Sequence, residues 1–98
     1  MRLDAKEAIV AAREHFLHLL PEIVKSGEVR EGEARLEEIE KEGNNWAVTL
    51  SVPYKETSGN IYIKHLGGGS SFGYNRIAKT VVVDGANGKF IALKQRAA

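Results

Sequence analysis

The sequence predicts an α+β fold, in which one N-terminal helix packs on an antiparallel meander of four or five strands. Three observations support this prediction. Apolar residues recur at helical spacing near the N-terminus, strict alternation of large and small residues begins at Trp46, and a strong turn signal at 84–88 separates two β-rich runs. At 98 residues the chain has room for one core, so we expect a single domain spanning 1–98.

The predicted helix begins at Asp4, which forms a capping pair with Glu7. Apolar residues then recur every three or four positions and make one stripe, at about 100° per residue. Pro21 removes one backbone donor, so we expect a kink or a fresh helical turn there. Ser26-Gly27 is the expected end of the helix. The stripe consists of Ala5, Ala8, Ile9, Ala12, Phe16, Leu19, Leu20 and Ile23.

A first β-hairpin is predicted from 33 to 52. Residues 33–41 are charge-rich, but a turn at 42–45 and a clear strand after it favour a strand over a helix. In the second strand large residues occupy every other position and should face the helix. Those residues are Trp46, Val48, Leu50 and Val52.

Two further hairpins complete the predicted sheet. Residues 54–64 flank a possible Ser58-Gly59 turn, and a flexible Gly/Ser-rich loop is predicted at about 66–75. The last hairpin turns at 84–88. If Asp84 faces Lys89, Val82 opposes Ile91 and Thr80 opposes Leu93, while Lys79 faces Lys94. This register predicts that Val82, Ile91 and Leu93 are buried.

Composition excludes several classes of site. The chain has no cysteine, so disulfides, thiolate catalysis and thiolate metal sites are excluded. No apolar stretch approaches the ~20 residues that span a bilayer. The charged residues in 1–10 do not resemble the apolar core of a signal peptide, so a cytoplasmic location is expected.

Charge is unevenly distributed along the chain. Residues 1–50 carry seven basic and eleven acidic side chains, a net −4, whereas residues 51–98 carry seven and two, a net +5. Such polarity can orient an approaching partner. Alternatively, the two halves face each other across the sheet and cancel.

The succession of a helix, strands and a closing hairpin, Val83-Asp84-Gly85-Ala86-Asn87-Gly88-Lys89-Phe90-Ile91, resembles the PepSY family and related small domains with a cystatin-like fold. In that family an Ala-spaced helix opens the domain and an Asp-x-x-x-Gly turn closes it; Ala5, Ala8 and Ala12 match the opening. The resemblance implies a noncatalytic regulatory or inhibitory module. PepSY domains usually occur in exported or membrane proteins, and the segment 54–75 departs from their pattern.

Candidate chemical sites are weak in this sequence. His15, His18 and Glu22 share a helical face at a spacing that can bind zinc, but a solvated surface is the favoured interpretation. A structural zinc site usually needs a fourth ligand, no cysteine is present, and His65 could supply one only if its loop folded back. The loop at 67–73 lacks the Lys-Ser/Thr ending of a phosphate-binding loop. The serines in that loop have no fixed neighbouring base. We therefore expect no enzyme activity, no cofactor and no metal site.

The predicted function is that of a noncatalytic protein-interaction module, an inhibitor or regulator of a larger partner. Aromatic residues are enriched at interface hot spots, although the same side chains could instead complete the core. A nucleic-acid-binding surface on the basic C-terminal strands is the alternative. Self-association through an edge strand is also open. The candidate partner-binding residues are Ile61, Tyr62, Phe72, Tyr74 and Arg76.

Overall fold

A computed structural model of the chain describes residues 2–25, 27–55 and 74–95. One N-terminal helix lies on a five-stranded antiparallel open sheet, which confirms the predicted α+β fold. The central strands are β3 and β4; β5 pairs with the outer side of β4, while β1 and β2 pair with different parts of β3. In chain order the elements are α1 (Ala5–Ile23), β1 (Glu28–Val29), a 3-10 turn (Glu31–Glu33), β2 (Arg35–Glu42), β3 (Asn45–Lys55), β4 (Tyr74–Asp84) and β5 (Phe90–Gln95).

Helix α1 begins with the predicted capping box. Asp4 Oδ1 accepts a hydrogen bond from the backbone N–H of Glu7 at 2.8 Å, and Glu7 Oε1 accepts one from that of Asp4 at 2.9 Å. These bonds satisfy donors that the first turn of a helix leaves open. A single helix runs through Pro21 and ends at Ile23, three residues before the predicted stop. So close to the C-terminal end, the missing proline N–H removes only one backbone bond.

The core lies between α1 and one face of the sheet, which we call the helix face. The predicted alternation in β3 is confirmed, because Val48, Leu50 and Val52 point to this face and are buried. Trp46 packs against the same cluster. From α1, the small residues Ala8 and Ala12 and the large Phe16 are fully buried in this core. The buried cluster comprises Ala8, Ala12, Phe16, Leu20, Val48, Leu50, Val52, Val81 and Val83.

Residues before α1 attach the helix to one end of the sheet. The backbone N–H of Leu3 donates to the oxygen of Gly85 at 2.7 Å, and Trp46 Nε1–H donates to the oxygen of Leu3 at 3.3 Å. Arg2 reaches the backbone oxygen of Asn44 at 3.1 Å. The start of the helix is therefore held against both the β2–β3 turn and the β4–β5 turn.

The predicted register of the C-terminal hairpin is wrong beyond the pair of Val83 and Phe90. The N–H of Asp84 donates to the oxygen of Lys89 at 2.9 Å, as expected. A register shift then leaves Ile91 as an extra residue in β5, so Val82 lies opposite Ala92. Such a β-bulge moves every later partner by one position.

The bulge also overturns the predicted burial of β5. Val82 is buried, but it lies on the sheet face opposite the helix, which we call the open face. Ile91 and Leu93, which were predicted to be buried, are exposed. Lys79 lies opposite Gln95 rather than Lys94, which removes the predicted pairing of two lysines.

The predicted middle region is described only at its two ends. The turn at Ser58-Gly59 and most of the predicted loop at 66–75 lie outside the described residues. Tyr54 and Lys55 belong to β3, where they pair with both β1 and β4. Strand β4 begins at Tyr74, within the range of about 66–75 that the sequence assigns to a loop.

Candidate functional site

Two of the five predicted partner-binding residues lie within the described part of the chain. Tyr74 begins β4 opposite Lys55, and Arg76 lies two residues further on, opposite Pro53. Ile61, Tyr62 and Phe72 lie outside the described residues. The aromatic part of the predicted site therefore stays a prediction.

The guanidinium of Arg76 is engaged within the protein. Its Nε donates to Ser51 Oγ at 3.1 Å, and its Nη2 donates to the backbone oxygens of Glu33 at 3.0 Å and Ser51 at 3.3 Å. A fork of fixed donors suits such multiple contacts. Arg76 thus fastens the 3-10 turn to β3 through its Nε and Nη2 groups.

Ser51 belongs to the same network. Its hydroxyl donates to Glu37 Oε2 at 2.5 Å, and Arg35 Nε donates to that oxygen at 2.7 Å. Glu37 is the extra residue of a bulge in β2, which lets its carboxylate reach across to β3. Ser51 is buried. The arrangement connects β2, β3 and β4 by hydrogen bonds and leaves this serine without an open path to a substrate.

The three residues of the predicted zinc-binding face of α1 lie in different environments. His15 turns toward the β4–β5 turn, where its Nε2 lies 3.0 Å from the oxygen of Gly88 and its ring centroid 5.7 Å from that of Phe90. His18 and Glu22 are exposed. Among residues 2–25, 27–55 and 74–95, no group of three His, Asp or Glu side chains is arranged to hold a metal ion. The predicted solvated face thus holds for two residues and fails for His15.

The open face brings part of the acidic and basic halves together. A hollow of about 180 Å³ has the glutamates of β2 on one side, Lys94 on the other and the paired hydroxyls of Thr49 and Thr80, 2.7 Å apart, on its floor. Lys94 Nζ lies 3.0 Å from Glu42 Oε1. At this pair an acidic residue of the first half meets a basic residue of the second. The acidic residues lining the hollow are Glu38, Glu40 and Glu42.

Three of the five exposed large apolar side chains in the described part of the chain lie on β5. Phe90 is 42% exposed, Ile91 46% and Leu93 36%, although they belong to one six-residue strand. Exposed apolar side chains scattered singly are ordinary, whereas these three lie close together along one strand. Two other large apolar residues, Val10 and Leu36, are comparably exposed, and each belongs to a different element.

The two edges of the sheet differ in charge. Six of the eight residues of β2 are charged, and charged side chains keep foreign strands from pairing with an edge. In β5 only Lys94 is charged. Among the described residues, β5 pairs with β4 and with no strand on its other side. It is therefore the edge that is better suited to accept another strand.

The ladder also determines which backbone groups of β5 point outward. Because Asp84 donates to Lys89, alternation along β4 directs the polar groups of residues 84, 82 and 80 toward β5 and those of 83, 81 and 79 away from it. The β5 partners of the latter three residues then present their own N–H and C=O groups to the free side. Those partners are Phe90, Leu93 and Gln95.

The fold and this surface define a helix-on-sheet domain with one charged and one apolar edge. Comparison with protein-family models, curated proteins and solved structures gave no match. The resemblance to PepSY and cystatin-like domains therefore stays a prediction. No helix in the described part of the chain combines the length and the apolar character that crossing a membrane requires.

The β5 edge is not evident from the sequence for one reason. Aligning the strands of the last hairpin without a bulge places two of the exposed residues in the core. Nothing in Phe90-Ile91-Ala92-Leu93 identifies the extra residue, because each side chain there is compatible with either register. The sequence signal for this edge was the run of apolar residues in the last strand of the chain, which lies at the end of the sheet.

Proposed function

We propose that this domain is a noncatalytic protein-interaction module, an inhibitor or regulator of a larger protein, and that an extended segment of the partner adds to the β5 edge. The observation that supports this proposal is the exposure of Phe90, Ile91 and Leu93 on a strand with outward-pointing backbone groups. In strand addition, backbone hydrogen bonds give affinity and side-chain contacts give specificity.

Leu93 combines both kinds of contact. It lies opposite Val81, so its side chain is on the helix face, beside the core. A partner strand would gain two backbone bonds at this position and place an apolar side chain against Leu93. Phe90 offers a second apolar contact on the same face, since it pairs with Val83.

The groups that could suggest other functions have structural partners. Arg76 and Ser51 hold strands together, His15 contacts the β4–β5 turn, and Lys94 pairs with Glu42. These contacts favour the interaction module over nucleic-acid binding by the basic strands. The latter alternative predicts binding that weakens steeply with salt.

The test is affinity capture from a lysate of the source organism with the tagged full chain. We compare the wild type with Leu93→Lys, which places a charge on the β5 edge, and with Val10→Lys, which makes the same change at a helix position that is 56% exposed. A Phe72→Ser/Tyr74→Ser variant tests the aromatic residues predicted from sequence. All samples are run with and without nuclease.

A protein captured by the wild type and by Val10→Lys, resistant to nuclease and lost with Leu93→Lys, would support the proposal. Loss only with the Phe72→Ser/Tyr74→Ser variant would move the site to the aromatic residues. Capture that depends on nucleic acid would replace the proposal with the alternative. Equal capture by all four proteins would rule out both surfaces as the binding site.

A further inference from the structure

We propose that, in the absence of a partner, β5 of one copy pairs antiparallel with β5 of a second copy across a twofold axis at Leu93. The inference rests on the proposed function, because it takes the same β5 edge as the binding surface and names one occupant for it. A partner strand and a second copy would then compete for this edge.

The faces of the sheet limit how two copies can pair. A twofold axis perpendicular to the sheet keeps each face continuous across the junction, so residues directly opposite each other must share a face. Leu93 lies on the helix face, since it pairs with Val81. Ala92 and Lys94 lie on the open face, opposite Val82 and Thr80.

Among centres at the three interior residues Ala92, Leu93 and Lys94 of β5, only Leu93 satisfies these limits. An axis at Ala92 would set Phe90 on the helix face against Lys94 on the open face, because the bulge separates their faces. An axis at Lys94 would set two ammonium groups directly opposite each other, which is destabilising. An axis at Leu93 sets leucine against leucine and each Lys94 against the Ala92 of the other copy.

The direction of the backbone groups of β5 also favours an axis at Leu93. The N–H and C=O of Leu93 point to the free side of β5, as its pairing with Val81 requires. Two copies of Leu93 on the axis can therefore exchange both of their hydrogen bonds. Each Lys94 keeps its own Glu42 at 3.0 Å, which reduces repulsion between the Lys94 side chains of the two copies.

The first test uses the fact that the chain contains no cysteine. In Leu93→Cys the two thiols meet on the axis, where the Cα separation of a directly opposed antiparallel pair permits a disulfide. Ala92→Cys places the thiols off the axis and on the other face, and Val10→Cys places them on α1. We expect Leu93→Cys to form a covalent dimer about tenfold faster than either control under mild oxidation. Equal rates in all three would overturn the proposed register.

The second test measures association of the full chain without a crosslink, by sedimentation equilibrium over a range of protein concentrations. The proposed register sets position 92 opposite Lys94 twice in each dimer. Ala92→Glu should therefore tighten association by about tenfold and Ala92→Lys should weaken it by a similar factor, with Val10→Lys unchanged. A wild type that stays monomeric at protein concentrations up to about 1 mM would overturn the inference.

The two proposals fail in distinguishable ways. A monomeric protein that still captures its partner through Leu93 would overturn the dimer and retain the interaction module. A dimer that crosslinks through Leu93→Cys but captures nothing from the lysate would support the dimer and count against the proposed function.

Discussion

The Nε2 atom of His15 lies 3.0 Å from the backbone oxygen of Gly88, and this contact attaches the middle of α1 to the β4–β5 turn. A carbonyl oxygen only accepts hydrogen bonds, so His15 must carry a proton on Nε2. The imidazole ring also packs against Phe90 in a tilted arrangement. The helix is thereby positioned relative to the hairpin whose outer strand carries the proposed binding edge.

Replacing His15 should separate the contribution of its hydrogen bond to stability from that of its ring contact. We expect His15→Ala to lower the free energy of unfolding by about 1 to 2 kcal/mol, because a hydrogen bond and a ring contact are lost. His15→Phe should recover part of this loss, since it retains the ring contact alone. The measurement is urea denaturation followed by circular dichroism, with His18→Ala as an exposed control that changes stability by less than about 0.5 kcal/mol. Equal effects of the two alanine variants would contradict a structural role for His15.

The prediction of this fold from sequence was most successful where one pattern was strong enough to determine an element. The capping pair Asp4–Glu7 and the alternation from Trp46 to Val52 each predicted a feature that the structure confirms. These features depend on local hydrogen bonding and on which residues face the core. Both follow from the spacing of polar and apolar side chains along the sequence.

The β5 edge was not predictable in the same way. A bulge adds one residue to a strand without a distinctive side chain, and every later pair then shifts. The role of His15 was also hidden, because its helical position is at the border of the apolar stripe and its partner, Gly88, is 73 residues away. Neither the extra residue nor a contact between distant parts of the chain leaves a local pattern in the sequence.

Gly85 should tolerate no side chain, because two turns of the sheet meet there. A Cβ atom at this position would lie 2.0 Å from the backbone oxygen of Asn44. That oxygen belongs to a β-turn and cannot rotate away like the end of a side chain. We expect Gly85→Ala to lower the free energy of unfolding by about 2 to 3 kcal/mol, since the turns must move apart.

The matched control for this variant is Gly32→Ala. A Cβ atom there would meet nothing within 4 Å, so the expected change is below about 0.5 kcal/mol. Both variants are compared with the wild type in the same urea titration. A Gly85→Ala protein of wild-type stability would show that the two turns do not approach each other as described.

Arg76 should act on stability through its hydrogen bonds rather than through its charge. Arg76→Ala removes the bonds to Ser51 and Glu33, and we expect a loss of about 1 to 2 kcal/mol in the free energy of unfolding. Arg76→Lys keeps the charge but lacks the fork that reaches both residues, so it should recover less than half of that loss. Urea denaturation of the wild type, Arg76→Ala and Arg76→Lys measures the three free energies of unfolding. Full recovery by lysine would assign the effect to charge.

The pair between Lys94 and Glu42 should contribute little despite its position across the open face. The two side chains are 51% and 45% exposed, so water screens their attraction, and holding both chains in one geometry costs conformational entropy. We expect a double-mutant cycle with Lys94→Met and Glu42→Gln to give a coupling free energy of about 0.5 kcal/mol at low salt. At about 1 M salt the coupling should fall toward zero, because the screening length is then comparable to the 3.0 Å contact. A coupling that stayed above about 1 kcal/mol at high salt would mean that the hollow on the open face excludes water around these charges, and the acidic residues of β2 would then need a role beyond protecting an edge.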